Sequence, residues 1–175
     1  MLEIAHGPGY LAIELSKLTG CRVQGLDISR SFVRIATDNA HKAEVTADFE
    51  HGDAADLPFP ADQFHFIVCR AAFKNFARPL HVLDEMYHVL KPNGLALIID
   101  LRKDFSTEVF SDYLGGRGAV SAAITKLIFN ITLKKRAYTR DEVANLVAQS
   151  QFRPGDIRLE PIGFELWLHR EFRIV

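Results

Sequence analysis

A short apolar strand that runs directly into a glycine turn and then a helix, Met1-Leu2-Glu3-Ile4-Ala5-His6-Gly7-Pro8-Gly9-Tyr10, constrains this chain more than any other stretch. Glycines after a strand let the backbone approach a ligand closely, and the unpaired N–H groups of the helix start attract an anionic group. The combination suits a nucleoside-bearing ligand. A strand of this kind ordinarily lies in mid-sheet, and here the sequence opens with it.

The rest of the chain repeats the rhythm of strand and helix. Leu11, Ile13, Leu15 and Leu18 give the first helix an apolar face, closed by Thr19-Gly20. A strand over 22–26 ends at Asp27, and Ser29 or Ser31 is placed to cap a helix reaching Ala43. Strands are predicted over 45–50 and 64–69, separated by the turn-rich His51-Gly52-Asp53-Ala54-Ala55-Asp56-Leu57-Pro58-Phe59-Pro60. A helix over 79–90 ends in the turn Lys91-Pro92-Asn93-Gly94, before a fifth strand over 95–101. Thr139 with Glu142 reads as a capping box opening a helix to Ser150. Strands over 156–162 and 165–172 flank Gly163-Phe164 as an antiparallel edge hairpin. The expectation is an α/β chain with a mostly parallel seven-stranded sheet and a terminal antiparallel hairpin.

A length of 175 residues makes one domain the default. The formal net charge of -1 gives no bulk electrostatic argument for nucleic acid or a membrane surface. Cys21 and Cys69, the only two cysteines, lack metal-type spacing. They suggest reduced thiols in a cytoplasmic setting. The seven histidines are scattered and also lack metal spacing, so no metal site is expected. No apolar run is long enough for a membrane span.

Four features agree in order and spacing, and together the chain resembles the class I S-adenosylmethionine-dependent methyltransferases. Glu3-Ile4-Ala5-His6-Gly7-Pro8-Gly9 is similar to the family's acidic-x-Gly-x-Gly-x-Gly signature, with Ala5 in place of the first glycine. The replacement matters if φ there is positive. Gly25-Leu26-Asp27-Ile28-Ser29 resembles the second signature, which implies that Asp27 accepts from both ribose hydroxyls and Ile28 packs on adenine. Gly52-Asp53-Ala54-Ala55-Asp56-Leu57-Pro58-Phe59 resembles the third, which implies that the Asp53 side chain meets the adenine amino group and the Ala54 N–H a ring nitrogen. Cys69-Arg70-Ala71 ends the fourth strand where the family positions cofactor and substrate, and 85–95 matches its helix-turn-strand. The resemblance implies a Rossmann-like three-layer sandwich and S-adenosylmethionine as cofactor. Its cofactor-binding candidates are Glu3, Ala5, His6, Gly7, Gly9, Asp27, Ile28, Asp53, Ala54 and Arg70.

Individual residues keep competing readings. His6 faces cofactor or substrate, or else is a loop histidine satisfied by backbone, and the second reading is favoured. Arg70 contacts a carboxylate or anionic substrate, or forms a surface salt bridge. Phe73, Asn75 and Phe76, with Tyr113, are acceptor-pocket candidates, although the aromatics serve a core equally well. The helical pattern over 119–133 reads first as buried packing; the alternative is a lid within a 103–136 insertion.

The implied reaction is in-line methyl transfer to a small, partly hydrophobic molecule, closest to the branch that includes quinone-biosynthesis enzymes. No residue stands out as a catalytic base; His6 is a candidate by position only and Arg70 an orienting one. The rival readings are a catalytically inactive methyltransferase-like binding or scaffold protein and an NAD(P)-dependent oxidoreductase. Glu3, the Asp53-Ala54 turn and the terminal hairpin speak against the oxidoreductase. A nucleic-acid partner is not expected, because no basic stripe with interleaved aromatics is evident. A homodimer is compatible with the sequence. The abrupt start leads to the expectation that cover helices are missing before Met1 or are supplied by a partner.

Overall fold

The structure is a computed structural model, and it describes residues 1–105, 136–152 and 154–171. Seven strands form one sheet: β1 (Leu2–Ile4), β2 (Val23–Asp27), β3 (Ala47–His51), β4 (Phe64–Arg70), β5 (Leu90–Leu101), β6 (Gly155–Leu159) and β7 (Gly163–His169). Their order is β3-β2-β1-β4-β5-β7-β6. The first five are parallel, with Glu3 opposite Gly25 on one side and Val68 on the other. β7 runs antiparallel to both β5 and β6. The seven-stranded, mostly parallel expectation is met.

Four helices among the described residues cover the sheet: α1 (Tyr10–Thr19), α2 (Arg30–Lys42), α3 (Pro79–Val89) and α4 (Arg140–Gln149). Side chains alternate across a strand, so Leu2 and Ile4 join the core with Leu83, Met86 and Val89 of α3. Glu3 points the other way, with its carboxylate under the influence of the Ala12 N–H of α1. Helix α4 completes the α3 side through Val143 and Val147. The result is a three-layer sandwich with α1 and α2 on one face of the sheet and α3 and α4 on the other. No helix among the described residues is long and apolar enough to cross a membrane.

Helix starts follow local chemistry. Ser29 Oγ accepts from the Phe32 N–H, Pro79 occupies the first turn of α3, and Thr139 and Glu142 form the capping box.

Several boundaries differ from the sequence reading, two of them for identifiable reasons. β5 begins at Leu90, directly from α3, because Leu90 pairs with Phe64 and Leu95 with Phe66. The segment Lys91–Gly94 is therefore a bulge inside the strand, with Asn93 left-handed at φ 63°. Gly163 and Phe164 are paired residues of β7 rather than the hairpin turn, which lies over 160–162 and is closed by Glu160 N–H donating to Gly163 O. The lid expectation over 103–136 falls largely outside the described residues, as does Tyr113.

Candidate active site

Strand order reverses at β1, whose neighbours β2 and β4 lead to helices on opposite faces of the sheet. The crevice beyond the carboxyl ends of such strands is where open α/β sheets bind ligands. A cleft of about 330 Å³ lies there. One wall is Ala5, Asp27 and Ile28 with Gly52–Ala55; the facing wall is Ala72, Asn75–Arg78 and Val82.

Asp27 organises the first wall. Its Oδ2 accepts from Gly7 N–H at 2.9 Å and its Oδ1 from Ser29 N–H at 2.8 Å. Its carbonyl accepts from Gly52 N–H at 3.0 Å, so one strand-end residue ties three loops together. Each carboxylate oxygen has two acceptor directions and retains one. Ile28 stands beside Asp27 with 71% of its surface exposed, an apolar face held open at the cleft.

The glycine turn approaches from below. Gly9 caps α1 at φ 79°, and a Cβ there would stand 2.8 Å from Ala36 Cβ of α2, so the close packing of these two helices requires glycine. Gly7 is also left-handed, at φ 54°, but a Cβ there would meet nothing within 4 Å, leaving room for a ligand over the turn. Ala5 is left-handed too, at φ 58°, with its N–H donating to Leu26 O at 2.7 Å. The alanine-for-glycine departure noted in the sequence therefore does fall where φ is positive. Asn39 of α2 secures the turn by donating to Pro8 O at 3.0 Å.

Two buried polar groups lie beneath the turn. Glu3 is 4% exposed, and its Oε2 has no hydrogen-bond partner. Burial pushes its carboxyl up to about 7, against the lowering effects of the Ala12 N–H and the charge of Arg70. His6 donates from Nδ1 to Gly7 O at 2.7 Å, and its ring lies 4.6 Å from that of Phe49. That bond assigns the neutral tautomer, and burial lowers its pKa. Its Nε2 is buried and unpartnered. His6 is thus satisfied by backbone at one nitrogen and does not line the cleft.

Asp53 sits on the rim. Its Oδ1 accepts from Ala55 N–H and its Oδ2 from Arg78 Nη2, each at 2.9 Å. The Ala55 bond, followed by Arg78, lowers its pKa. The Arg78–Asp53 pair spans the cleft mouth from one wall to the other. Leu57 N–H donates to Glu85 Oε2 at 2.8 Å, anchoring the same loop to α3.

The structure brings Ala5, Asp27, Ile28, Asp53, Ala54, Asn75 and Phe76 together at one cleft, with Gly7 and Gly9 in the turn beside it. Glu3 and His6 lie under that turn, while Arg70 ends β4 exposed and outside the cleft lining. Phe73 is fully buried in the core, edge-on to Phe76 and against Tyr138. Sequence reasoning missed Arg78 and Asp100. A lone carboxylate ending Leu95-Ala96-Leu97-Ile98-Ile99 was a legible signal for Asp100; an arginine before a helix-starting proline carries none for Arg78. Among the described residues no group of His, Cys, Asp and Glu is placed to hold a metal ion. A wider hollow of about 470 Å³ between α4 and β6 is lined only by apolar side chains, proline and glycine. The carboxylates gather at the switch-point cleft instead.

Residues 1–94 match the family described as a methyltransferase domain. A 2-phytyl-1,4-naphtoquinone methyltransferase from Synechococcus elongatus is 34% identical over 110 residues, covering 61% of this chain and 47% of that protein. A demethylmenaquinone methyltransferase from Deinococcus radiodurans is 33% identical over 101 residues, covering 57% and 42%. The chain thus spans about half the length of the curated relatives it matches. Among solved structures, a SAM-dependent methyltransferase from Aquifex aeolicus superposes with a TM-score of 0.75 at 20% identity, over 97% of this chain and 80% of that one. The [4+2]-cyclase SpnF superposes at 0.70 and 16% identity, over 97% and 73%, a likeness of fold alone. With more than half its length matching the family, and with the acidic strand end, glycine turn and two loop carboxylates set around one cleft, this chain belongs to the methyltransferase-domain family.

Proposed function

We propose that the protein transfers a methyl group from S-adenosylmethionine to a small, partly hydrophobic acceptor by in-line displacement. The observation that carries this reading is the pair Asp27, which ends β2, and Asp53, in the loop after β3, brought together on one cleft with the open face of Ile28 beside Asp27. The fit is chemical: Asp27 retains acceptor capacity for a ribose diol, Ile28 offers a flat apolar seat for a base, and Asp53 with Ala54 presents an acceptor and a donor to the base edge. The unpartnered Glu3 Oε2 and the open space over Gly7 suit the polar amino-acid end. When bound, the cofactor supplies an activated methyl group on a sulfonium.

The chain's own contribution is placement. Proximity and orientation carry much of the rate when the leaving group is already good, so the rigid first wall and the Ala72–Arg78 wall hold the two reactants in line and exclude water. Asn75 and Phe76 serve as the acceptor side, and Arg70 as an orienting cation at the strand end. The quinone substrates in the names of the two relatives support an aromatic, partly apolar acceptor.

Calorimetric titration with S-adenosylhomocysteine tests the reading. Binding is expected, weakened by on the order of tenfold or more in Asp27→Ala as a charge-assisted acceptor is lost. Binding of NAD with none of S-adenosylhomocysteine overturns it. Incorporation of labelled methyl into a reduced naphthoquinone separates an active transferase from an inactive binding protein.

A further inference from the structure

Behind the second wall of the cleft lies the most deeply buried ion pair of the described residues. Lys74 Nζ stands 2.8 Å from Asp100 Oδ1, with the two side chains 4% and 0% exposed. The pair is bonded into backbone on every side. Lys74 Nζ also donates to Ala71 O at 2.6 Å, Lys74 N–H to Asp100 Oδ2 at 2.9 Å, and Leu101 N–H to Asp100 Oδ1 at 2.7 Å. Three pieces of chain meet there: the end of β4, the single 3-10 turn Phe73–Asn75 and the end of β5.

Stability is a poor reason for such a pair. Desolvating two charges offsets most of their attraction, and apolar residues of similar volume commonly serve a core as well or better. A second observation points to shape. Ala71 is a non-glycine residue at φ 59°, held there from both ends, its N–H donating to Ile99 O at 2.7 Å and its carbonyl accepting from Lys74. Backbone kept in a disfavoured region by surrounding bonds is characteristic of sites whose geometry matters. What this backbone sets is the course of the following residues, and Ala72, Asn75 and Phe76 form the cleft wall.

We infer that Lys74 and Asp100 are positioning residues for the ligand cleft: their buried pair clamps the Ala71–Phe76 strap between β4 and β5 and so preforms the wall facing Asp27 and Asp53. The inference rests on the methyltransferase reading for its choice of probe. Preforming a wall means that its ordering entropy is lost on folding rather than on binding, which shows as affinity.

The decisive variant is Lys74→Met/Asp100→Asn, which removes both charges and keeps one side-chain acceptor, for either the Lys74 or the Leu101 N–H. Its affinity for S-adenosylhomocysteine is measured well below its thermal midpoint, alongside amide hydrogen exchange of Lys74, Asn75 and Phe76. The expected result is on the order of tenfold weaker binding, with those amides exchanging faster than in the parent while β4 amides keep their protection. Wild-type affinity in the folded double variant overturns the inference. Should that variant not fold, exchange in the unliganded parent decides: strap amides as protected as those of β4 support a preformed wall, and exchange at loop rates overturns it. Absence of S-adenosylhomocysteine binding by the parent defeats the methyltransferase reading instead, and the parent's exchange still decides whether the wall is preformed.

Discussion

Two alanines carry backbone angles that suit glycine, and both stand one residue beyond central parallel strands at the cleft. Left-handed φ costs a residue bearing Cβ roughly 1–2 kcal/mol, while glycine adds unfolded-state entropy worth about half of that. Ala5→Gly is therefore expected to stabilise the protein by about 0.5–1 kcal/mol, read as a higher urea midpoint at unchanged slope; a lower midpoint would show that the alanine methyl contributes packing that outweighs its strain. Glu3 supplies the pH dependence. With its folded carboxyl near 7 against an ordinary 4.5, the native state binds more protons than the unfolded state between those values. Stability then falls as pH rises through that window, by up to about 3 kcal/mol, and levels off above it. His6 acts in the opposite sense, because its lowered pKa costs stability as pH falls below its ordinary 6.5. The difference between the parent and Glu3→Gln isolates the carboxyl: urea denaturation at several pH values should show the variant gaining on the parent from pH 5 to pH 8, and parallel curves would remove Glu3 from the account. At this scale Asp27, Ile28 and Asp53 were legible because the family signatures they resemble give each a place just after a parallel strand. Arg78 was not, since its partner lies 25 residues away across the cleft mouth.

Elements were legible wherever local chemistry closes them. The Thr139–Glu142 capping box, the Ser29 cap and the Pro79 start all appear as their sequences require, because each is satisfied within a few residues. The β5 bulge was not, because Lys91-Pro92-Asn93-Gly94 has the composition of a helix-ending turn and only its pairing makes it strand: Asn93 N–H donates to Arg170 O, and Arg170 N–H to Gly94 O. Gly163-Phe164 misled in the same way, as a glycine that looks like a turn but faces Leu101 in the sheet. The N-terminal turn of α1 meets α2 closely at Gly9. Gly9→Ala adds a Cβ 2.8 Å from Ala36 and 3.0 Å from the Phe49 ring at a left-handed φ. Overpacking together with strain predicts a loss of about 2–4 kcal/mol, and weaker ligand binding as the turn shifts. A midpoint within error of the parent would mean that α1 moves aside freely.

For the molecule as a whole, the arrangement of layers followed from the alternation of strand and helix, and the place of the cleft from where that order reverses. The two cysteines report on integrity. Cys21 is exposed, whereas Cys69 is fully buried in β4 and burial pushes its thiol far above its ordinary value. One thiol is expected to alkylate in the native protein and the second only on unfolding; rapid labelling of both by mass spectrometry would show that the centre of the sheet opens easily. The position of β7 has a further consequence. It lies between β5 and β6, so the free edge of β5 waits for residues 163–169, some 60 positions later. On the ribosome, the parallel half of the sheet therefore emerges with a long apolar edge exposed, and only the arrival of β7 seals it. Nascent chains stopped short of β7 are the ones that should seek chaperones or one another.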